Sequence, residues 1–152
     1  MKHTTNVQRQ QNTILIHSAD RDLTKSLSIV LQDQFTILTT ETVPELSRQR
    51  ENHTVSLIVV DLEKSIPELI EELQLWRQSA PSVPIIILYA FRVTKPNWEI
   101  SIRTLTTQLL YKPVQIEQIL EAISNSIPGW SIPIRRSMPK PNKHFRLAYG
   151  GR

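Results

Sequence analysis

The sequence predicts an α/β fold: a doubly wound sheet of five parallel strands with helices on both faces. Two observations carry that expectation. Five short apolar runs rich in β-branched residues alternate strictly with five stretches whose apolar residues recur at helical spacing. The interior runs, such as LIVV at 57–60 and PIIILY at 84–89, are continuously apolar, as strands covered on both faces are. Alternation of this kind joins parallel strands through right-handed crossovers.

Each element follows in order. TILI (13–16) is the first strand, and RDLTKSLSIVLQDQ then sets Leu23, Leu27, Val30 and Leu31 on one helical face. FTILTT (35–40) is the second strand. TVPELSRQREN (42–52) opens with Thr42 and Glu45 in capping-box spacing and Pro44 in the first turn. After the strand at 57–60, SIPELIEELQLWRQS repeats that opening with Ser65 and Glu68, and turns Leu69, Ile70, Leu73 and Trp76 inward. The strand at 84–89 leads to a short helix in PNWEISIRTL on Trp98, Ile102 and Leu105, and QLLY (108–111) is the last strand. The final helix carries Ile116, Ile119, Leu120, Ile123 and Ile127, and Pro128-Gly129 stops it.

A chain of 152 residues fits one domain with short appendages. The boundaries expected are a flexible segment at 1–12, a domain at 13–127 and a tail at 128–152. The formal charge of +4 is unevenly spread. From Pro128 onward there are six Lys/Arg and no acid, which leaves 12 basic against 14 acidic side chains before it. The tail also holds all three glycines and four of the ten prolines, which argues for an extended arm. Arg135, Arg136, Lys140, Lys143 and Arg146 interleave there with aromatic residues, a composition suited to a polyanion or an acidic partner. No apolar run is long enough to span a bilayer, the first dozen residues do not read as a secretory signal, and there is no cysteine. The localisation expected is cytoplasmic, with no membrane association.

Asp61 ends a buried apolar run abruptly. Ser65 already occupies the cap position of the next helix, so Asp61 is read as the working group of a site or its remnant. Ligands of such sheets sit at the carboxyl ends of the strands, where Asp61 lies. Other chemistry is weak. His3, His17, His53 and His144 show no metal-ligand spacing, and no glycine-rich phosphate loop exists. His17 and Ser18 are adjacent on a strand, and so face opposite ways, which argues against a nucleophile–base pair.

From about Thr13 to Ile127 the chain resembles the receiver domain of bacterial response regulators, a flavodoxin-like (CheY-like) fold. Asp61 stands where that family carries its phospho-accepting aspartate, and YKPV supplies Lys112-Pro113 after the fifth strand, like the family's lysine and its usually cis proline. The resemblance implies Mg²⁺ held by Asp61 with two acids after the first strand, charge neutralisation by Lys112, and a Thr or Ser after the fourth strand binding the phosphoryl group.

This chain departs from that pattern. Ser18 and Ala19 replace the two acids, Tyr89 the small hydroxyl, and Leu109 the aromatic on the fifth strand. Asp20 follows directly, and its role as a cap or first-turn acid outweighs that of a metal ligand. Trp98, if exposed, marks a contact surface on the fourth helix. The function expected is a stand-alone degenerate receiver, a pseudo-receiver, which is no enzyme and acts through protein–protein interaction in a signalling or regulatory pathway. No cofactor is expected. The partner is another signalling or regulatory protein, such as a histidine kinase or an output protein, and a homodimer stays open. The alternative is a phosphorelay receiver phosphorylated on Asp61, with Mg²⁺ on Asp61 and Asp20. A third reading is a nucleic-acid-associated regulator using the basic tail.

Overall fold

The structure, a computed structural model, describes residues 12–90 and 97–130. Ten elements alternate along the chain: β1 (Thr13–His17), α1 (Arg21–Leu31), β2 (Thr36–Thr40), α2 (Val43–Asn52), β3 (Leu57–Leu62), α3 (Ile66–Ser79), β4 (Ile85–Tyr89), α4 (Asn97–Leu105), β5 (Gln108–Tyr111) and α5 (Ile116–Ser126). The strands form one parallel sheet in the order β2-β1-β3-β4-β5, so β3 is central and β1 is where the winding reverses.

Side chains alternate across each strand and divide the core into two layers. On one face Ile14, Ile16, Leu57, Val59, Ile86 and Leu88 pack with Leu23, Leu27 and Leu31 of α1 and Ile119, Leu120 and Ile123 of α5. On the other, Leu15, Ile58, Val60, Ile85 and Ile87 pack with Leu46 of α2, Leu69, Leu73 and Trp76 of α3, and Ile102 and Leu105 of α4. Trp98 is half-buried against this second layer. All six residues of β3 are buried, as the unbroken apolar run requires.

Polar side chains lock the connections. Arg50 of α2 donates through Nε to Glu72 of α3 at 2.7 Å, a largely buried pair. The Arg77 guanidinium donates to the carbonyls of Pro81, Val83 and Leu105 at 3.0, 2.8 and 2.7 Å, tying the loops before β4 and β5 together. Its five donors in a rigid fork suit several carbonyls at once.

The structure differs from expectation in three places. The strand β3 runs on to Leu62, so Asp61 lies inside it, opposite Leu88 of β4. Ser65 does not cap α3 with its side chain. Its φ of 52° is left-handed rather than the extended conformation of a capping serine, although its carbonyl still accepts from Leu69 at 2.9 Å. The box at α2 is displaced: Thr42 accepts from the Glu45 N–H at 3.4 Å, but Glu45 reaches back to the N–H of Glu41 at 2.9 Å.

Packing also continues past 127. Trp130 lies across Phe35, with ring centroids 5.3 Å apart at 70°, and its indole N–H donates to the Gln34 side chain. Gly129, at φ +80°, turns the chain back to allow this. Among the described residues no helix is long and apolar enough to cross a membrane.

Candidate functional site

Three strands bring three side chains to one point. Ile14 and Ile16, then Ser18, share one face along β1; Leu57, Val59 and Asp61 do so on β3; Leu110 and Lys112 follow the same alternation on β5. Ser18 donates through Oγ to Asp61 Oδ2 at 2.8 Å. Lys112 Nζ pairs with Asp61 Oδ1, and Glu63 stands 3.8 Å from the same ammonium. The Asp61 side chain is 1% exposed and that of Lys112 5%, so both charges are largely removed from water and each depends on the other. The Lys112–Pro113 peptide bond is cis, and the Lys112 N–H donates to the Tyr89 carbonyl at 3.0 Å.

The loop after β1 is built around Ser18. Its N–H donates to the Thr40 carbonyl at 3.0 Å, and its Oγ accepts from the Asp20 N–H at 3.0 Å. The Asp20 carboxylate accepts from the amides of Asp22 and Leu23 at 3.0 and 3.2 Å, capping α1. Ser18, Asp61 and Lys112 therefore meet, whereas Asp20 serves the helix.

This arrangement of five parallel strands in the order β2-β1-β3-β4-β5, with an aspartate in the last pleat of the central one and a lysine directly after β5, decides the fold. The chain has the fold of response-regulator receiver domains. Solved structures similar to it include a receiver protein from Sinorhizobium medicae, 18% identical over 77% of this chain and 94% of that one, with a TM-score of 0.65. A receiver domain protein (CheY-like) from Methanospirillum hungatei is 22% identical over 75% of this chain and 91% of that one, with a TM-score of 0.65. A structure named as an adenylate cyclase from Rhodopirellula baltica is 25% identical over 77% and 87%, with a TM-score of 0.66. The sequence matches no family model and no curated protein.

The receiver fold implies Mg²⁺ beside the central aspartate, and the residues present do not fit that ion. Mg²⁺ demands octahedral oxygen ligands. Here Asp61 has Oδ1 held by an ammonium and Oδ2 by a hydroxyl, Ala19 offers no side-chain oxygen, Asp20 caps α1 through Oδ1, and Glu63 faces the Lys112 ammonium at 3.8 Å. Among the described residues no group of three or more acids and histidines is placed to hold a metal.

Tyr89 belongs to the other face of the sheet. It is buried in the second layer, and β4 pairs it with Leu62, one residue beyond Asp61. Leu109 is half-buried against that layer as well. His17, too, faces away from Ser18: its Nδ1 meets Thr40 Oγ1 at 2.8 Å. Burial lowers the pKa of this histidine below its ordinary value of 6.5, against the opposing pull of the Asp61 and Glu45 carboxylates.

Glu63, Thr40 and the partnership of Ser18 with Asp61 are the site features that sequence reasoning missed. The last was available in the strand parity, since Ser18, Asp61 and Lys112 each lie two residues beyond a residue of the first core layer. On α4 and β5, Glu99 Oε1 accepts from Arg103 at 3.0 Å and from the Tyr111 hydroxyl at 3.2 Å, and Ile100 is 71% exposed beside them. Arg135, Arg136, Lys140, Lys143 and Arg146 lie outside the described residues.

Proposed function

We propose that this chain is a degenerate receiver, a pseudo-receiver that works by protein–protein contact in a signalling or regulatory pathway and is neither an enzyme nor a phosphorylation target. One observation supports the reading above all: both oxygens of the Asp61 carboxylate are engaged from within the protein, by Ser18 and by Lys112. A phosphoryl acceptor needs a free oxygen to attack phosphorus and a cation to offset the charge in flight. In this chain Lys112 alone is placed to do the second, and it is bound to the oxygen that would do the first. With the pair buried, the carboxylate serves to hold the ends of β3 and β5 together, and specificity rests with the surface.

The partner expected is another signalling protein, a histidine kinase or an output protein among them, in the cytoplasm. Intact mass after incubation with Mg²⁺ and acetyl phosphate tests the reading. The expected result is an unchanged mass. A phosphoryl adduct that disappears in Asp61→Asn would replace it with the phosphorelay reading.

A further inference from the structure

The strand β2 ends one side of the sheet, and among the described residues no strand pairs with its outer edge. Two bonds to its neighbour fix which of its groups face out. The Thr36 N–H donates to the Asn12 carbonyl at 2.9 Å, and the Ser18 N–H to the Thr40 carbonyl at 3.0 Å. The peptide groups of Thr36, Leu38 and Thr40 therefore turn toward β1, and those of Ile37 and Thr39 turn outward. The outward row stops sharply at both ends. The Phe35 N–H is spent on the Leu31 carbonyl at 3.0 Å, and the Glu41 N–H on the Glu45 carboxylate at 2.9 Å.

Edge strands are ordinarily guarded against pairing by a charge, a proline or a bulge. Thr36–Thr40 has neither charge nor proline, and its register with β1 runs unbroken from Thr13 and Thr36 to His17 and Thr40. The opposite edge is better protected, because β5 has only four residues and Lys112-Pro113 follows it directly. On β2, Thr36 and Thr39 are exposed, while Ile37 and Leu38 are half-buried, each against a different core layer.

We infer that a second copy of this chain docks on β2, antiparallel to it, about a two-fold axis at Leu38, joining the two sheets into one. The edge is self-complementary in that register. Ile37 of each copy comes opposite Thr39 of the other, and the pair exchanges both bonds, so every outward N–H and C=O of the two strands is satisfied. An axis at Ile37 or Thr39 would set a carbonyl against the Phe35 or Glu41 N–H, which are already taken. The faces agree as well, since Leu38 meets its mate beside the second core layer while Ile37 and Thr39 pair beside the first. Charge adds to the fit. Antiparallel pairing carries Arg21, 84% exposed on Glu41, toward the partner's exposed Asp33, for which its guanidinium has donors left over. A contact of this size is weak and reversible, and it does not depend on how Asp61 is used.

Sedimentation velocity of the full chain should show a dimer that grows with concentration. Thr39→Pro deletes one donor from each copy and should weaken association by about thirtyfold, at roughly fivefold per hydrogen bond. Thr39→Lys sits at an exposed position, spares the backbone and should also deplete the dimer. The chain has no cysteine, so single cysteines report the register. Leu38→Cys should oxidise to a covalent dimer, its Cα atoms lying about 4.5 Å apart. Ile37→Cys and Thr39→Cys should crosslink when mixed but not alone, because each stands about 7–8 Å diagonally from its own mate. Crosslinking through Ile37→Cys alone would overturn the axis at Leu38. A chain monomeric up to about 1 mM would overturn the dimer. A monomer whose Ile37 and Thr39 amides resist hydrogen exchange would put another segment of the same chain on the edge, and a dimer lost in Ile100→Glu but not in Thr39→Lys would move the interface to α4; either overturns the assignment.

Discussion

Ser18 and Asp61, 43 positions apart in sequence, meet through a 2.8 Å hydrogen bond that joins β1 to β3 beneath the loop leading into α1. The bond orders the loop as well as the carboxylate, because the same hydroxyl accepts from the Asp20 N–H. Ser18→Ala removes both at once and leaves Asp61 Oδ2 buried with one partner fewer. Hydrogen bonds to charged groups are worth about 1.5–3 kcal/mol, so urea denaturation should show a loss in that range. A loss within experimental error would mean that the loop re-forms without the hydroxyl.

Lys112 offers the complementary experiment. Lys112→Met leaves the Asp61 carboxylate 1% exposed and without its counter-ion, a change that costs about 3–5 kcal/mol in buried pairs. Asp61→Leu together with Lys112→Met removes both charges and should recover most of that loss. Additive losses in a double-mutant cycle would show that the two groups do not depend on each other.

The fold was legible because the chain writes it twice, in unbroken apolar strands and in helices with one apolar stripe. Asp61 and Lys112 were legible as a pair through the resemblance to receiver domains, and the parallel topology carries the ends of β3 and β5 to one edge. Ser65 was misread for a physical reason: Ser-x-x-Glu looks the same whether or not the loop delivers serine in an extended conformation, and here it arrives left-handed. Trp130 was hidden by the Pro-Gly signal before it. That signal correctly ends the helix, but the positive φ of Gly129 also lets the chain return to Phe35.

That return makes a prediction of its own. Trp130→Ala deletes a half-buried ring from the edge of the first core layer, and should lower stability by about 1–3 kcal/mol. The midpoint of urea unfolding is the measurement, and ending the chain after Gly129 should cost a similar amount. If neither change moves the midpoint, the contact with Phe35 contributes nothing to the fold.

His17 predicts a pH dependence. Burial holds its folded pKa below the ordinary 6.5, so in the window beneath that value the unfolded chain binds a proton that the native protein does not. Stability is then full above 6.5 and falls as the pH drops through and below it. Thr40 on β2 is its hydrogen-bond partner, and the charges of Asp61 on β3 and Glu45 on α2 act on it through space, so the two carboxylates limit the size of the fall. His17→Gln should flatten the profile between pH 6.5 and 5 measured by urea denaturation. A parent profile already flat over that range would contradict the assignment.

The last prediction rebuilds the site. Ser18→Asp, Ala19→Asp and Tyr89→Thr together return two carboxylates to the loop after β1 and a small hydroxyl to the end of β4. Ser18 already points at Asp61, so an aspartate in its place sets two carboxylates against each other, and a divalent cation relieves the repulsion. Tyr89 contributes differently. It is buried in the second layer, so shortening it leaves a cavity that costs about 2–4 kcal/mol whatever the metal does. Total stability is therefore the wrong readout, and the difference in melting temperature with and without Mg²⁺ is the right one. That difference should be near zero in the parent and clearly positive in the triple variant, with binding confirmed by calorimetry. A triple variant that ignores Mg²⁺ would mean that the loop cannot present two acids to Asp61. A parent that already gains stability from Mg²⁺ would mean that Lys112 yields its oxygen to the cation, and the case for a degenerate site would fall with it.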